Sequence, residues 1–256
     1  MTFFYALLAA LVVGLISFVG LIALSLRVER LRKVSFIFVA LAVGALLGET
    51  FIHIIPEIFS TNDTGIDGLV SSLLIILGIL IFFMLERFLH WHHHGHDETE
   101  HEKHPADNVR ALGKMVLVSD SLHNFLDGIV LGVAFLVSVE VGIATTIAII
   151  FHEIPQEIGD FGVLLHAGYS KTQALFYNFL SALTSIVGVS LVFVFGQYID
   201  NFSAYTLPVA AGMFLYLATS DLVPELAKEK GFLAVTLEVL AMTVGVVAMY
   251  LVTFLE

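Results

Sequence analysis

The chain has 256 residues, 58% of them hydrophobic and only 13% charged, with a mean hydropathy of +0.96; a soluble domain needs more charge than that to cover its surface. There is no cysteine, so thiolate metal sites, disulfides and cysteine redox chemistry are excluded, and any metal site must be built from His, carboxylate, amide and Met. The net charge of −12 does not mark an acidic soluble protein, because many of the acids lie inside or at the ends of apolar runs, where charge is costly and usually functional.

Apolar runs long enough to cross a hydrocarbon core of about 30 Å recur along the whole chain. The first, Phe3–Leu26, has no basic residue before it. It is too long for a signal-peptide core, so it reads as a retained first helix. The next spans are Val34–Phe59, Leu69–Leu89, Ala111–Val137, Glu140–His166, Lys171–Tyr198, Tyr205–Leu226 and Phe232–Leu255. Strands are disfavoured, because an open sheet edge is not tolerated in lipid. The expectation is an all-α polytopic membrane protein with eight transmembrane helices. Residues 1–256 form one transmembrane domain, and only the 90–110 connection is long.

The basic residues set the orientation. Arg27, Arg30, Arg32 and Lys33 lie between the first two spans, and Arg87, Lys103, Arg110 and Lys114 flank the connection from the third to the fourth. Lys171 follows the fifth span, and Lys228 and Lys230 lie between the last two. With eight spans all eleven Lys and Arg fall on one side. The positive-inside rule makes that side cytoplasmic and puts both termini outside.

In the second span Glu49, His53 and Glu57 form a stripe at i, i+4, i+8 beside Pro56, and in the seventh Asp221 and Glu225 flank Pro224. Two readings fit both groups: coordination points along a pathway, and end caps of solvated vestibules. The five methionines after Met1 sit singly in apolar spans and read as packing residues.

The connection after the third span carries His90, His92, His93, His94, His96, His101 and His104, interleaved with Asp97, Glu98, Glu100 and Glu102. This density reads as a flexible, cytoplasmic metal-binding tract, with a solvated linker as the alternative. A polar, disordered tract binds weakly and with little geometric choice.

The fourth and fifth spans hold the strongest signal. In the fourth, Asp120, His123 and Asp127 share one helical stripe, with Asn124 beside them. In the fifth, His152 pairs with Gln156 and Glu153 with Glu157 at i, i+4, and Asp160 follows. Pro155 removes an internal hydrogen bond and frees the Phe151 carbonyl. Backbone of that kind is tolerated at membrane depth only against protein or a watery cavity. One such His or Asn is readily explained as packing between helices. Two consecutive helices carrying His, carboxylate and amide at one depth point instead to a metal site. Imidazole suits zinc and iron, and carboxylates balance a dication. Asp120, Glu157 and Asp160 extend the polar track beyond that site.

Together these residues resemble the ZIP family of zinc- and iron-regulated-transporter-like proteins. His-Asn-Phe-Leu-Asp-Gly at 123–128 is similar to the family's fourth-helix signature. His-Glu-Ile-Pro-Gln-Glu-Ile-Gly-Asp at 152–160 resembles the fifth-helix signature of one branch, His-Glu-x-Pro-His-Glu-x-Gly-Asp. Glu49 to Pro56, Ala211 to Tyr216 and Pro224-Glu225 are similar to that branch as well. The resemblance implies transport of divalent transition metals toward the cytosol, zinc first, with iron, manganese and cadmium as the other candidates. It implies no organic cofactor, no enzymatic activity, no nucleic-acid partner and frequent homodimerisation. It also implies a two-metal centre. One site would use His123, Asp127, His152 and Gln156; its neighbour would use Asn124, Asp127, Glu153 and Gln156. Gln156 stands where the branch typically has His. An amide oxygen is a harder and weaker ligand, which would shift selectivity toward manganese or iron.

Three rival readings differ in kind. A zincin-type intramembrane protease needs His-Glu-x-x-His on an unbroken helix, but here the second His is Gln156 and Pro155 interrupts the turn. A di-iron membrane oxygenase would hold iron on bundled helices, yet its histidine clusters are more regular than the tract at 90–104. A metal sensor without transport would need one capped site rather than polar stripes on four helices.

Overall fold

The computed structural model describes residues 1–21, 28–60, 66–94, 105–199, 201–227 and 231–255, which form a bundle of antiparallel helices with no strand among them. Helix α1 is Thr2–Leu15, running on through the 3-10 turn Ile16–Phe18. Helix α2 comprises Val28–Gly48, a π-helical segment Glu49–Ile54 and Ile55–Ser60. Helix α3 is Gly68–His94, α4 Pro105–Val137 and α5 Val139–His166. Helix α6 is built of Lys171–Ala182 and Thr184–Phe195. Helix α7 comprises Phe202–Tyr216, a second π segment Leu217–Leu222 and Val223–Leu226, and α8 is Phe232–Val252.

Among the described residues, seven stretches are long and apolar enough to cross a membrane, one each in α1 to α4 and α6 to α8. Helix α5 has 28 residues, about 42 Å of helix, but it carries His152, Glu153, Gln156 and Glu157 along its length and is not among these apolar stretches. Those side chains turn inward: His152, Glu153 and Glu157 are each 1% exposed. The protein is therefore an all-α polytopic membrane protein, with these polar side chains of α5 buried inside the bundle.

The connection expected over 90–110 is shorter than the sequence suggested. Helix α3 continues to His94, and α4 starts at Pro105. No Gly or Pro interrupts 86–94, so the helix runs past its apolar stretch. Pro105 suits a first helical position, where its missing N–H is not needed.

Three helix pairs are locked by reciprocal glycines. A Cβ on Gly44 would sit 2.0 Å from the Met242 carbonyl oxygen, and one on Gly245 2.3 Å from that of Leu41, which joins α2 to α8. Gly78 and Gly212 do the same for α3 and α7, meeting the Val209 and Ile75 oxygens at 2.0 Å each. Gly128 and Gly188 join α4 to α6, meeting the Ser185 and Phe125 oxygens at 2.0 and 2.3 Å. Small residues let helix backbones approach this closely in lipid, where no hydrophobic drive brings helices together. The central core includes Leu46, Leu131, Ile149, Phe214 and Met249, all fully buried, while Leu233, Leu240 and Leu251 of α8 face outward.

Pro56 and Pro224 each stand two residues past a π segment. A helical proline lacks an N–H and crowds the preceding turn, and widening that turn relieves both problems. In each segment a threonine hydroxyl serves a carbonyl of the turn before: Thr50 Oγ1 donates to the Leu46 oxygen at 2.7 Å, and Thr219 Oγ1 to that of Leu215 at 2.6 Å.

Candidate metal centre

The site is set by a helical hairpin with a one-residue turn. Ser138 separates α4 from α5 in an extended conformation, and its hydroxyl accepts from the Val141 N–H at 3.1 Å, capping α5. His123 lies fifteen residues before Ser138 and His152 fourteen after it. Both are therefore about 22 Å from the turn along antiparallel helices, at one depth.

Four side chains converge there. His123 Nε2 and His152 Nε2 are 3.3 Å apart. Asp127 Oδ2 lies 3.0 Å from His152 Nε2 and 3.9 Å from His123 Nε2. Glu153 Oε1 lies 3.6 Å from His123 Nε2 and 3.7 Å from His152 Nε2. A tetrahedral zinc with bonds of about 2.0–2.1 Å has ligand atoms about 3.3–3.4 Å apart. The five separations bracket that edge, so the donors stand where a metal would need them. His152 Nδ1 lies 3.3 Å from the Ala148 carbonyl oxygen. Only an Nδ1–H can donate to that carbonyl, which leaves the Nε2 lone pair turned toward the cluster, as in many metal-ligating histidines. The Phe82 ring of α3 stands edge-on to His123, with centroids 5.8 Å apart, and closes one wall.

A second group shares Glu153. Asp120, Glu153 and Glu157 each offer an oxygen within 4.8 Å of the others. Helix α6 holds the outer two: Ser181 Oγ donates to Asp120 Oδ2 and Asn178 Nδ2 to Glu157 Oε2. Asn124 Nδ2 donates to Asp120 Oδ1 at 2.9 Å, while Asn124 Oδ1 and Glu157 Oε1 are buried without a hydrogen-bond partner. Gln156 lies beside the Asp120 carboxyl. Unmatched oxygens around a buried carboxylate cluster suit a cation.

Glu49 and His53 lie together on the π segment of α2, apart from these groups. Glu57 lines a cavity of about 220 Å³ with Ser71, Ser203 and Leu207. Asp160 is half-buried on α5, Asp221 half-buried on the π segment of α7, and Glu225 exposed one turn further on. His90, His92, His93 and His94 lie on the last turns of α3; His96, His101 and His104 lie outside the described residues. The sequence reading missed Phe82, Asn178 and Ser181. The two polar residues in an apolar helix were a usable signal; Phe82 gave none.

The chain matches the family described as "ZIP Zinc transporter" over residues 2–111 and 91–253. It is 30% identical over 284 residues to the "Metal cation symporter ZIP14" of Xenopus tropicalis, covering 87% of this chain and 61% of that protein. It is 39% identical over 154 residues to the human "Zinc transporter ZIP10", covering 58% of this chain and 18% of the relative. With the human "Zinc transporter ZIP4" the identity is 30% over 286 residues, covering 88% and 44%. The chain thus spans less than two thirds of the length of these curated relatives. With a family match along nearly its whole length and a buried His–carboxylate centre between its fourth and fifth helices, the chain belongs to the ZIP zinc transporter family.

Proposed function

We propose that this chain carries divalent transition-metal cations across a bilayer toward the cytosol, with zinc as the principal substrate and iron, manganese and cadmium as the alternatives to test. The observation that carries the reading is the convergence of His123, Asp127, His152 and Glu153, their donor atoms 3.0 to 3.9 Å apart inside the bundle. Such a cluster is expensive in a membrane without a cation to balance it. The relatives named as zinc transporters and as a metal cation symporter support the substrate class.

In this reading the cation exchanges water for the two imidazoles and two carboxylates. Asp120, Glu153 and Glu157, with the amides of Asn124 and Gln156, make an adjoining oxygen-rich subsite. Two adjoining subsites let the ion be passed on by partial ligand exchange, without a return to full hydration. Direction and topology rest on charge: with eight spans read from the sequence, all eleven Lys and Arg belong to connections and span ends of one side. That side is cytoplasmic, both termini are outside, and the histidine tract meets ions on the cytoplasmic face. The whole described bundle works as one transport unit, alone or as a homodimer.

The test is uptake into proteoliposomes of zinc, iron(II), manganese and cadmium in competition, for the wild type and Gln156→His. Selective uptake of one metal names the substrate, and a swing toward zinc in the variant makes residue 156 a selectivity ligand. Correctly inserted protein that moves none of the four metals overturns the transport reading.

A further inference from the structure

Gly78 and Gly212 press α3 and α7 together backbone to backbone. Successive helices of the bundle alternate in direction, so α3 and α7 run the same way. Four residues past each glycine, one helical turn on, stands an aromatic residue: Phe82 and Tyr216. The close crossing brings the two rings into contact, with centroids 5.6 Å apart. Tyr216 is also the last residue before the π segment Leu217–Leu222, and π turns recur at functional sites.

Phe82 also meets a residue of the metal centre. Its ring is perpendicular to that of His123, with centroids 5.8 Å apart. His123 in turn stands at 81° to His152, with centroids 5.5 Å apart. The His123 ring is thus held edge to face by two neighbours, an arrangement that ring quadrupoles favour. His152 has a further anchor, the Nδ1 contact with the Ala148 carbonyl. Among the described residues His123 Nδ1 has no such hydrogen bond, so ring packing sets its plane. His123 is the least covered of the four donors as well. Its side chain is 13% exposed, against 6% for Asp127 and 1% each for His152 and Glu153. Phe82, itself buried, lies against this open member of the set. A hydrophobic wall there controls how much water reaches a bound ion. Zinc takes four ligands, whereas manganese prefers six oxygens, water among them.

We propose that Phe82 is a positioning and specificity-determining residue of the metal centre: packed on Tyr216 and perpendicular to His123, its ring sets the plane of that ligand and keeps water from the ion, which favours four-coordinate zinc over six-coordinate manganese. The inference rests on the metal-centre reading above and goes beyond its donors. It places selectivity on α3, a helix that supplies none of the four donor side chains, and ties the centre through two rings to the edge of the π segment in α7.

The experiment uses the full chain in detergent, with the seven tract histidines changed to serine. Cobalt(II) is the probe, because its visible absorption is intense in a four-coordinate site and weak in a six-coordinate one; zinc and manganese then compete for the same site. The expected result is an intense spectrum for the otherwise wild-type chain. Phe82→Ala should still bind cobalt, with severalfold weaker absorption, zinc affinity lowered by about tenfold and manganese affinity lowered less. Phe83→Ala is the control: its ring lies on the same turn of α3 and meets Tyr216 at 6.3 Å, but it is exposed on the outer face. It should match the wild type. If Phe82→Ala binds no cobalt, Phe82→Leu decides, since it keeps apolar bulk without the ring; intermediate absorption is expected, and any other result overturns the inference. An unchanged spectrum and zinc-to-manganese preference in Phe82→Ala, or an equal change in Phe83→Ala, overturns it and leaves the centre standing. A wild type with the weak spectrum overturns it too, and one that binds no cobalt removes the centre and the role of Phe82 together. None of these measurements reads transport, so a wild type that moves no metal sinks the transport reading alone.

Discussion

His123 and His152 meet Nε2 to Nε2 at 3.3 Å, brought there by one residue, Ser138, placed almost midway between them in the chain. The pairing is a property of the hairpin. Lengthening the turn would slide α5 along α4 and take His152 away from His123 and Asp127 together.

The first prediction tests the donors one at a time. Asp127→Ala and His152→Ala each remove an atom that stands 3.0 Å from the other. Uptake of zinc by proteoliposomes is expected to fall to background in both, with insertion and monodispersity retained. Wild-type uptake by Asp127→Ala would take the centre out of the transport path.

A second prediction concerns the glycine pairs. Gly212→Ala places a Cβ 2.0 Å from the Ile75 carbonyl oxygen, and Gly78→Ala does the same at Val209. Backbone must move in either case, at a cost of about 1–3 kcal/mol. Gly162→Ala on α5 meets nothing within 4 Å, and alanine gains up to about 1 kcal/mol over glycine within a helix. Thermal melts in detergent should therefore fall for the first two variants and hold or rise for the third. Equal melts for all three would mean that the helix pairs are not set by these contacts.

How much of this was legible beforehand follows from the residues themselves. Polar side chains in an apolar span stand out, so Asp120, His123, Asn124, Asp127, His152, Glu153 and Glu157 could be singled out, and the shared depth of the histidines follows from the short link between their helices. What supports them could not be read so far. Asn178 and Ser181 are ordinary polar residues until α6 is known to lie against α4 and α5, and that is decided by Gly128 and Gly188, sixty residues apart. Phe82 is one of 22 phenylalanines, and nothing local marks it as the wall beside His123. The two π segments were announced only by Pro56 and Pro224, which predict a disturbed turn without saying how it is disturbed.

The third prediction follows from α6. Asn178 Nδ2 donates to the buried Glu157 carboxylate. Replacement by leucine, which has the same branching and the same number of side-chain heavy atoms, leaves that acceptor without its donor, at a cost of about 1–3 kcal/mol. Glu157→Gln changes the same contact from the other side. Melts of the single and double variants should show a coupling of about 1 kcal/mol or more. Strictly additive losses would mean that the contact is incidental.

The last prediction is the response to pH. Carboxylates and imidazoles ligate a metal only when unprotonated, so each proton held by the empty centre must leave as the cation binds. Protons compete with the cation, and zinc affinity is expected to rise with pH. The slope is at most about one tenfold step per pH unit for each proton released. Titration calorimetry in two buffers of different ionisation enthalpy counts those protons directly, with the tract histidines replaced so that only the bundle binds. Asp127→Asn keeps the shape of the side chain but presents no carboxylate to protonate. It should weaken binding and reduce the proton count wherever Asp127 shares a proton with His152, 3.0 Å away. Binding that is flat across about pH 5.5 to 7.5, the range in which an unperturbed imidazole changes charge, and that releases no protons would be incompatible with a centre built from His123, Asp127, His152 and Glu153.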